Sequence, residues 1–123
     1  MRRALLTIRD RLDRTGVILS GLCAVHCLAS ILLVSVLGLG GQALLAPAIH
    51  EIGLALAITI GAVTLGIGVA RHGQLAPLAI GTAGIALMSA GLFSPHGPQE
   101  ALLTICGVAL VAAAHIRNLR HAA

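Results

Sequence analysis

Aromatic side chains are all but missing from this sequence: it has no tryptophan, no tyrosine and a single phenylalanine, Phe93. Without rings to stack on bases, nucleic acid is a poor partner, and the net charge of +4 does not change that. The arginines sit at the chain ends and one turn, not along an amphipathic face. Charge of either sign is scarce. Charged residues make up 10% of the chain, against roughly 25% in an ordinary soluble domain. A chain of 123 residues exposes much of its surface, and so few charges cannot cover it in water. Cysteine is limited to Cys23, Cys27 and Cys106, an odd number set in apolar surroundings, which argues against a disulfide framework. No nucleotide-binding motif is present.

What remains is hydrophobic: 58% of the residues. They fall into four apolar blocks, at about 16–39, 49–70, 75–93 and 100–116. Each is long enough, or nearly so, to cross a hydrocarbon core of ~30 Å at ~1.5 Å per helical residue. The breaks carry glycine and proline: Gly40, Gly41 and Pro47, then Gly73 and Pro77, then Pro95 to Pro98. Period-2 alternation is missing, which disfavours transmembrane strands. The expected fold is therefore all-α, an integral membrane bundle of four transmembrane helices over 16–117. A basic N-terminal segment, 1–15, precedes it and a short tail, 118–123, follows. The first block is read as a retained span, since no A-x-A cleavage site follows it. All eight arginines fall before the first block, in the second break or after the fourth block. By the positive-inside rule both termini are expected in the cytoplasm. Small residues recur every four positions in two rows, Gly16-Ser20-Ala24 and Gly53-Ala57-Gly61, a spacing that lets helices approach closely in lipid. The segments "PAIHE" (Pro47 to Glu51) and "PHGPQE" (Pro95 to Glu100) echo each other; either duplication of a helical hairpin or chance explains this.

The chemistry lies in "LCAVHCLAS", Leu22 to Ser30. Cys23, His26 and Cys27 have i, i+3, i+4 spacing, so they share one face of a helix over about one turn. For a helix starting near Gly16, Cys23 lies ~10 Å and Cys27 ~16 Å into the bilayer. Thiolate and imidazole suit soft and borderline ions such as Hg(II), Cu(I) and Zn(II). Small cysteines also serve as apolar filler, but a histidine in hydrocarbon needs a partner. The order Cys-x-x-His-Cys does not fit haem attachment, which needs Cys-x-x-Cys-His. These three residues are the candidate metal ligands.

His50 and Glu51 stand at the outer mouth of the second block. They either capture a cation or, for Glu51, simply favour a helix N-terminus. His115 should face the bundle interior near the inner end, as an exit ligand or as a donor to a neighbouring carbonyl. His72 lies at the same end. His96 and Glu100 are expected at the surface of the outer loop, and Cys106 in the core. Asp13 is read as a helix cap and Ser20 as a backbone-bonding hydroxyl.

The run "LDRTGVILSGLCAVHC" (Leu12 to Cys27) resembles the start of MerC-type mercuric transport proteins and their MerC-domain relatives. The Asp-x-x-Gly segment, the "HE" at His50-Glu51 and the close "AHIRN" (Ala114 to Asn118) extend the resemblance over most of the chain. The resemblance implies four spans, cytosolic termini, and movement of periplasmic mercuric ion across a bacterial inner membrane to a cytosolic reductase. Carried over, the ligand pair is Cys23 and Cys27. Two features depart from the well-known mercuric proteins. Their pair is spaced Cys-x-x-Cys, whereas here it is Cys-x-x-x-Cys beside His26. Their second, C-terminal cysteine pair is missing here, where the chain closes "HIRNLRHAA". A nitrogen-richer site raises zinc or copper as alternatives.

The expectation is thus a non-enzymatic multi-pass carrier of a soft metal ion, with mercury first and zinc or copper second, or else a metal-binding accessory protein of the same family. No permanent cofactor is expected. The expected partners are membrane lipid, the ion, a cytosolic thiol acceptor or reductase, and a second copy of the chain. A quinone-linked thiol oxidoreductase would want cysteines in the outer loops, and a small multidrug exporter a carboxylate in the first span; neither is present.

Overall fold

The computed structural model describes residues 1–38, 46–95 and 97–121. Every regular element among them is helical: α1 (Arg2–Leu37), α2 (Pro47–His72), α3 (Ala76–Leu92) and α4 (Pro98–Arg120). The breaks act as their residue types dictate. Proline opens α2, α3 and α4 within the first turn, where its missing N–H costs no helical bond. Gly38 and Gly73 close α1 and α2 in the left-handed conformation, with φ of 61° and 67°. At Gly73 the backbone N–H returns to the Val69 carbonyl at 2.9 Å. The loop glycines Gly40 and Gly41, and His96, lie outside the described residues.

The helices run past the apolar blocks. α1 starts at Arg2, not near Gly16, because residues 2–15 hold no proline or glycine to stop it. α4 likewise continues to Arg120. Three helices are long and apolar enough to cross a membrane, and α3 is a shorter apolar helix of 17 residues, ~26 Å long at ~1.5 Å per residue.

The four helices form a ring in chain order, α4 closing back on α1, with α2 and α4 also touching across it. α1 and α3 occupy opposite corners. α3 and α4 come closest where Gly84 faces Gly107. A Cβ on either glycine would stand 2.6–2.7 Å from the other's carbonyl oxygen, so only glycine allows the approach.

The packing is inverted relative to a water-soluble bundle. The apolar core is thin: Ala57, Leu65, Met88, Val108, Val111 and Ala114. Large apolar side chains such as Ile18, Leu22, Val25, Leu28 and Leu32 point outward along α1, as lipid requires. Polar groups are turned inward, and Ser20, Ser30 and Thr64 return their hydroxyls to the carbonyl one turn back.

Candidate metal site

Two polar centres lie toward opposite ends of the bundle, with a narrow cavity between them. The first is a groove of about 370 Å³ between α1 and the N-terminal half of α2, with Met88 and Leu92 of α3 and Thr104 of α4 also in its wall. The spacing on α1 brings Cys23, His26 and Cys27 to its wall, and the first turn of α2 adds His50. Cys27 Sγ lies 3.9 Å from His50 Nε2. The rings of His26 and His50 meet edge to face, with centroids 5.8 Å apart and planes at 64°. One turn deeper, Cys23 faces Gly53, where a Cβ would stand 3.7 Å from Sγ. His26 Nε2 and His50 Nδ1 are buried and have no hydrogen-bond partner among the described residues. Such groups cost roughly 1–3 kcal/mol each when nothing satisfies them. Elsewhere the groove is apolar, lined by residues such as Leu22, Ile52 and Leu92. Among the described residues no three His, Cys, Asp or Glu side chains already converge on one point.

The second centre lies at the end where the arginines gather. Asp13, His115, Asn118 and Thr64 are buried there, and hydrogen bonding fixes their orientation. The Gln74 backbone N–H donates to His72 Nδ1 at 3.1 Å, so His72 Nε2 carries the proton and donates to Asn118 Oδ1 at 2.9 Å. Asn118 Nδ2 then donates to Asp13 Oδ2 at 2.7 Å and to the Thr64 carbonyl at 3.2 Å. The Thr64 hydroxyl donates to the Ile60 carbonyl, so its oxygen is an acceptor toward His115 Nδ1, 3.4 Å away. Asp13 Oδ1 accepts from the same nitrogen at 2.6 Å. Both hydrogen bonds of His115 therefore use Nδ1–H. Its Nε2 rests over Gly16, where a Cβ would stand 2.5 Å from it. Arg9, one turn before Asp13, is fully buried; its Nη2 donates to Asp10 Oδ1 at 2.8 Å and its Nε lies 3.8 Å from Asp13 Oδ2, while Nε and Nη1 have no hydrogen-bond partner among the described residues.

Between the two centres lies a separate, narrow cavity, a neck of about 10 Å³, whose lining includes Cys23, Gly16 and His115. Leu19, Cys23, Gly53 and Met88 line both groove and neck. At that size the neck holds one water at most.

The structure thus brings Cys23, His26, Cys27 and His50 together. Glu51, next to His50, is exposed and lies off the groove wall. His115 is buried as expected but bonds a carboxylate, not a carbonyl. Three expectations are corrected. Asp13 is no cap; α1 begins eleven residues earlier, which turns Asp13 inward to His115. Cys106 is exposed, because the buried stripe Thr104, Gly107, Val108 and Val111 faces inward and leaves position 106 on the lipid side. Glu100 is buried, because Gly91 lets the start of α4 pack closely, with the Glu100 carbonyl 3.3 Å from where its Cβ would be. Sequence reasoning missed Arg9, Thr64, Asn118 and Met88. For Arg9 the i, i+4 spacing to Asp13 was an available signal; the others depend on contacts between helices.

No curated protein and no solved structure matches the chain significantly. One family model does match, that of the MerC mercury resistance protein, over residues 13–120. That stretch opens on Asp13 and takes in both cysteine ligand candidates, His50, His115 and Asn118. Carrying this match on an all-helical, membrane-spanning frame, the chain belongs to the MerC mercury resistance family.

Proposed function

We propose that this MerC-family membrane protein carries a soft metal ion, mercuric ion first, from the outer face of a bacterial inner membrane toward the cytosol. Cys27, Cys23 and His26 act as ligands, and His50 as a fourth donor at the outer mouth. One observation supports this most: two thiols and two imidazoles share one apolar groove, and a buried nitrogen of each imidazole has no hydrogen-bond partner among the described residues. The Cys27–His50 separation of 3.9 Å suits a bridging ion. With metal–sulfur and metal–nitrogen bonds of about 2.3 Å and 2.0–2.1 Å, the two donor atoms would stand about 3.6 Å apart at a tetrahedral angle and about 4.4 Å apart in a line. Side-chain rotation is then sufficient to complete a site.

The cargo is passed between donors and is never bare in lipid, where a naked charge costs too much. The ion meets His50 and Cys27, then exchanges onto Cys23 one turn deeper. Net movement follows from capture by a thiol acceptor in the cytosol. The outer side is assigned by the arginines, which gather at the opposite end.

The imidazole content favours a second reading, zinc or copper as cargo, since nitrogen suits those ions well. Metal analysis separates the two. The purified protein is offered equal amounts of Hg(II), Cu(I) and Zn(II), and the bound metal is counted. The expected result is about one mercury per chain, lost in the Cys23→Ser, Cys27→Ser double variant. Equal binding by wild type and double variant would reject the thiol site. Preferential retention of zinc or copper would transfer the reading to that ion.

A further inference from the structure

The groove accounts for capture of the ion but not for the second buried centre. We infer that His115 is the receiving ligand at the inner end of the path, with Nε2 as the donor atom and Asp13 as the residue that positions it. This rests on the carrier reading above and adds a second station to it.

Three observations carry the inference. First, His115 is held by one nitrogen. Asp13 and Thr64 both accept from Nδ1–H, so Nε2 takes part in neither bond and is the atom that coordinates when it carries no proton. A histidine whose far nitrogen donates to a carboxylate has the outer-shell arrangement usual for metal-binding imidazoles: the partner fixes the ring and strengthens the donor. Second, the position is right. His115 packs over Gly16 and lines the same narrow cavity as Cys23. Gly16 and Cys23 lie seven residues apart on nearly the same face of α1, ~10 Å along the axis. An ion released inward from Cys23 therefore reaches His115 before any other imidazole. Met88 lines both spaces, so its thioether, a soft donor, lies along the way. Third, the carboxylate is costly. Asp13 is fully buried in the bundle, where ionisable groups need a reason. Holding three helices together would not require this chemistry, since an apolar contact does the same with no charge to desolvate.

The competing explanation is a purely structural staple, and one substitution separates the two. In His115→Asn the side-chain Nδ2 falls where Nδ1 was, so the bond to Asp13 persists, while the Nε2 donor is removed. The full-length protein is purified in detergent and also reconstituted into vesicles loaded with glutathione, with mercuric chloride as the probe. His115→Asn should still bind one mercury per chain through the outer groove, and its uptake should fall tenfold or more. In protein labelled with 15N at histidine, the His115 Nε2 resonance, identified by its loss in His115→Asn, should shift when mercuric ion exceeds one equivalent. Nδ1 should keep its proton. Wild-type uptake by His115→Asn, or an Nε2 resonance that does not respond, would overturn the inference. The carrier reading fails separately, if Cys23→Ser, Cys27→Ser protein binds and moves mercury like wild type. Should the wild-type vesicles take up no mercury, the resonance shift alone decides the role of His115.

Discussion

A single methyl group at position 16 tests how His115 is held. A Cβ on Gly16 would stand 2.5–2.8 Å from three ring atoms of His115, too close for any rotamer to relieve without moving the ring. Gly16→Ala should lose the bond to Asp13 and destabilise the bundle by about 1–3 kcal/mol, read as a lower midpoint in detergent thermal unfolding. Gly53 behaves differently, because its missing Cβ faces Cys23 Sγ at an ordinary 3.7 Å. Gly53→Ala should bind mercury as wild type does. Gly53→Leu should fill the groove and weaken binding at least tenfold, measured by competition with a thiol chelator. Cys106→Ser provides the control: the thiol faces outward, and metal stoichiometry should not change. The one-face spacing of Cys23, His26 and Cys27 was legible because it is local to one helix. The role of Asp13 was not, since its partner His115 lies 102 residues away and no local pattern encodes that contact.

At the scale of the helices, α1 and α4 are joined at the arginine end chiefly through Asp13. Asp13→Ala leaves the His115 and Asn118 donors without their acceptor and takes the opposite charge from beside Arg9, whose Nε lies 3.8 Å from Asp13 Oδ2. Removing one member of such a buried set costs about 3–5 kcal/mol, and chemical denaturation in mild detergent should register it. Asp13→Asn keeps an acceptor for His115 and should cost less. The positions of the helices could be read from the sequence because proline and glycine mark the breaks. The start of α1 could not: arginine, leucine and threonine between Arg2 and Thr15 form helix without being apolar enough to count as a span. With α1 starting at Arg2, Asp13 lies inside the helix, where it cannot cap it.

For the molecule as a whole, orientation follows from where arginine gathers. The hydrogen bonds linking Asp13, His72 and Asn118 bring the ends of α1, α2 and α4 that carry the arginines to one side. With that side in the cytoplasm, a fluorescent protein fused after Ala123 should glow, and a phosphatase that needs export should be inactive there. The reverse pattern would turn the groove toward the cytosol and the proposed direction with it. The bundle was legible from composition alone, since few charges and long apolar blocks permit little else in so short a chain. The division into an outer groove and an inner polar centre was not, because it depends on which faces of the four helices meet.

The two ends of α2 are held very differently. Its buried residues, Ala57, Gly61, Thr64, Leu65 and Gly68, all lie beyond its first ten positions. Its C-terminal part is bonded to Asn118 through Thr64 and His72, whereas His50 lies on a half-exposed stretch that borders the groove. α2 is thus a lever with its fulcrum near Thr64 and an arm of ~21 Å to His50. Over that length a tilt of about 5° swings the imidazole by about 2 Å, enough to open or close the space between His50 and Cys27.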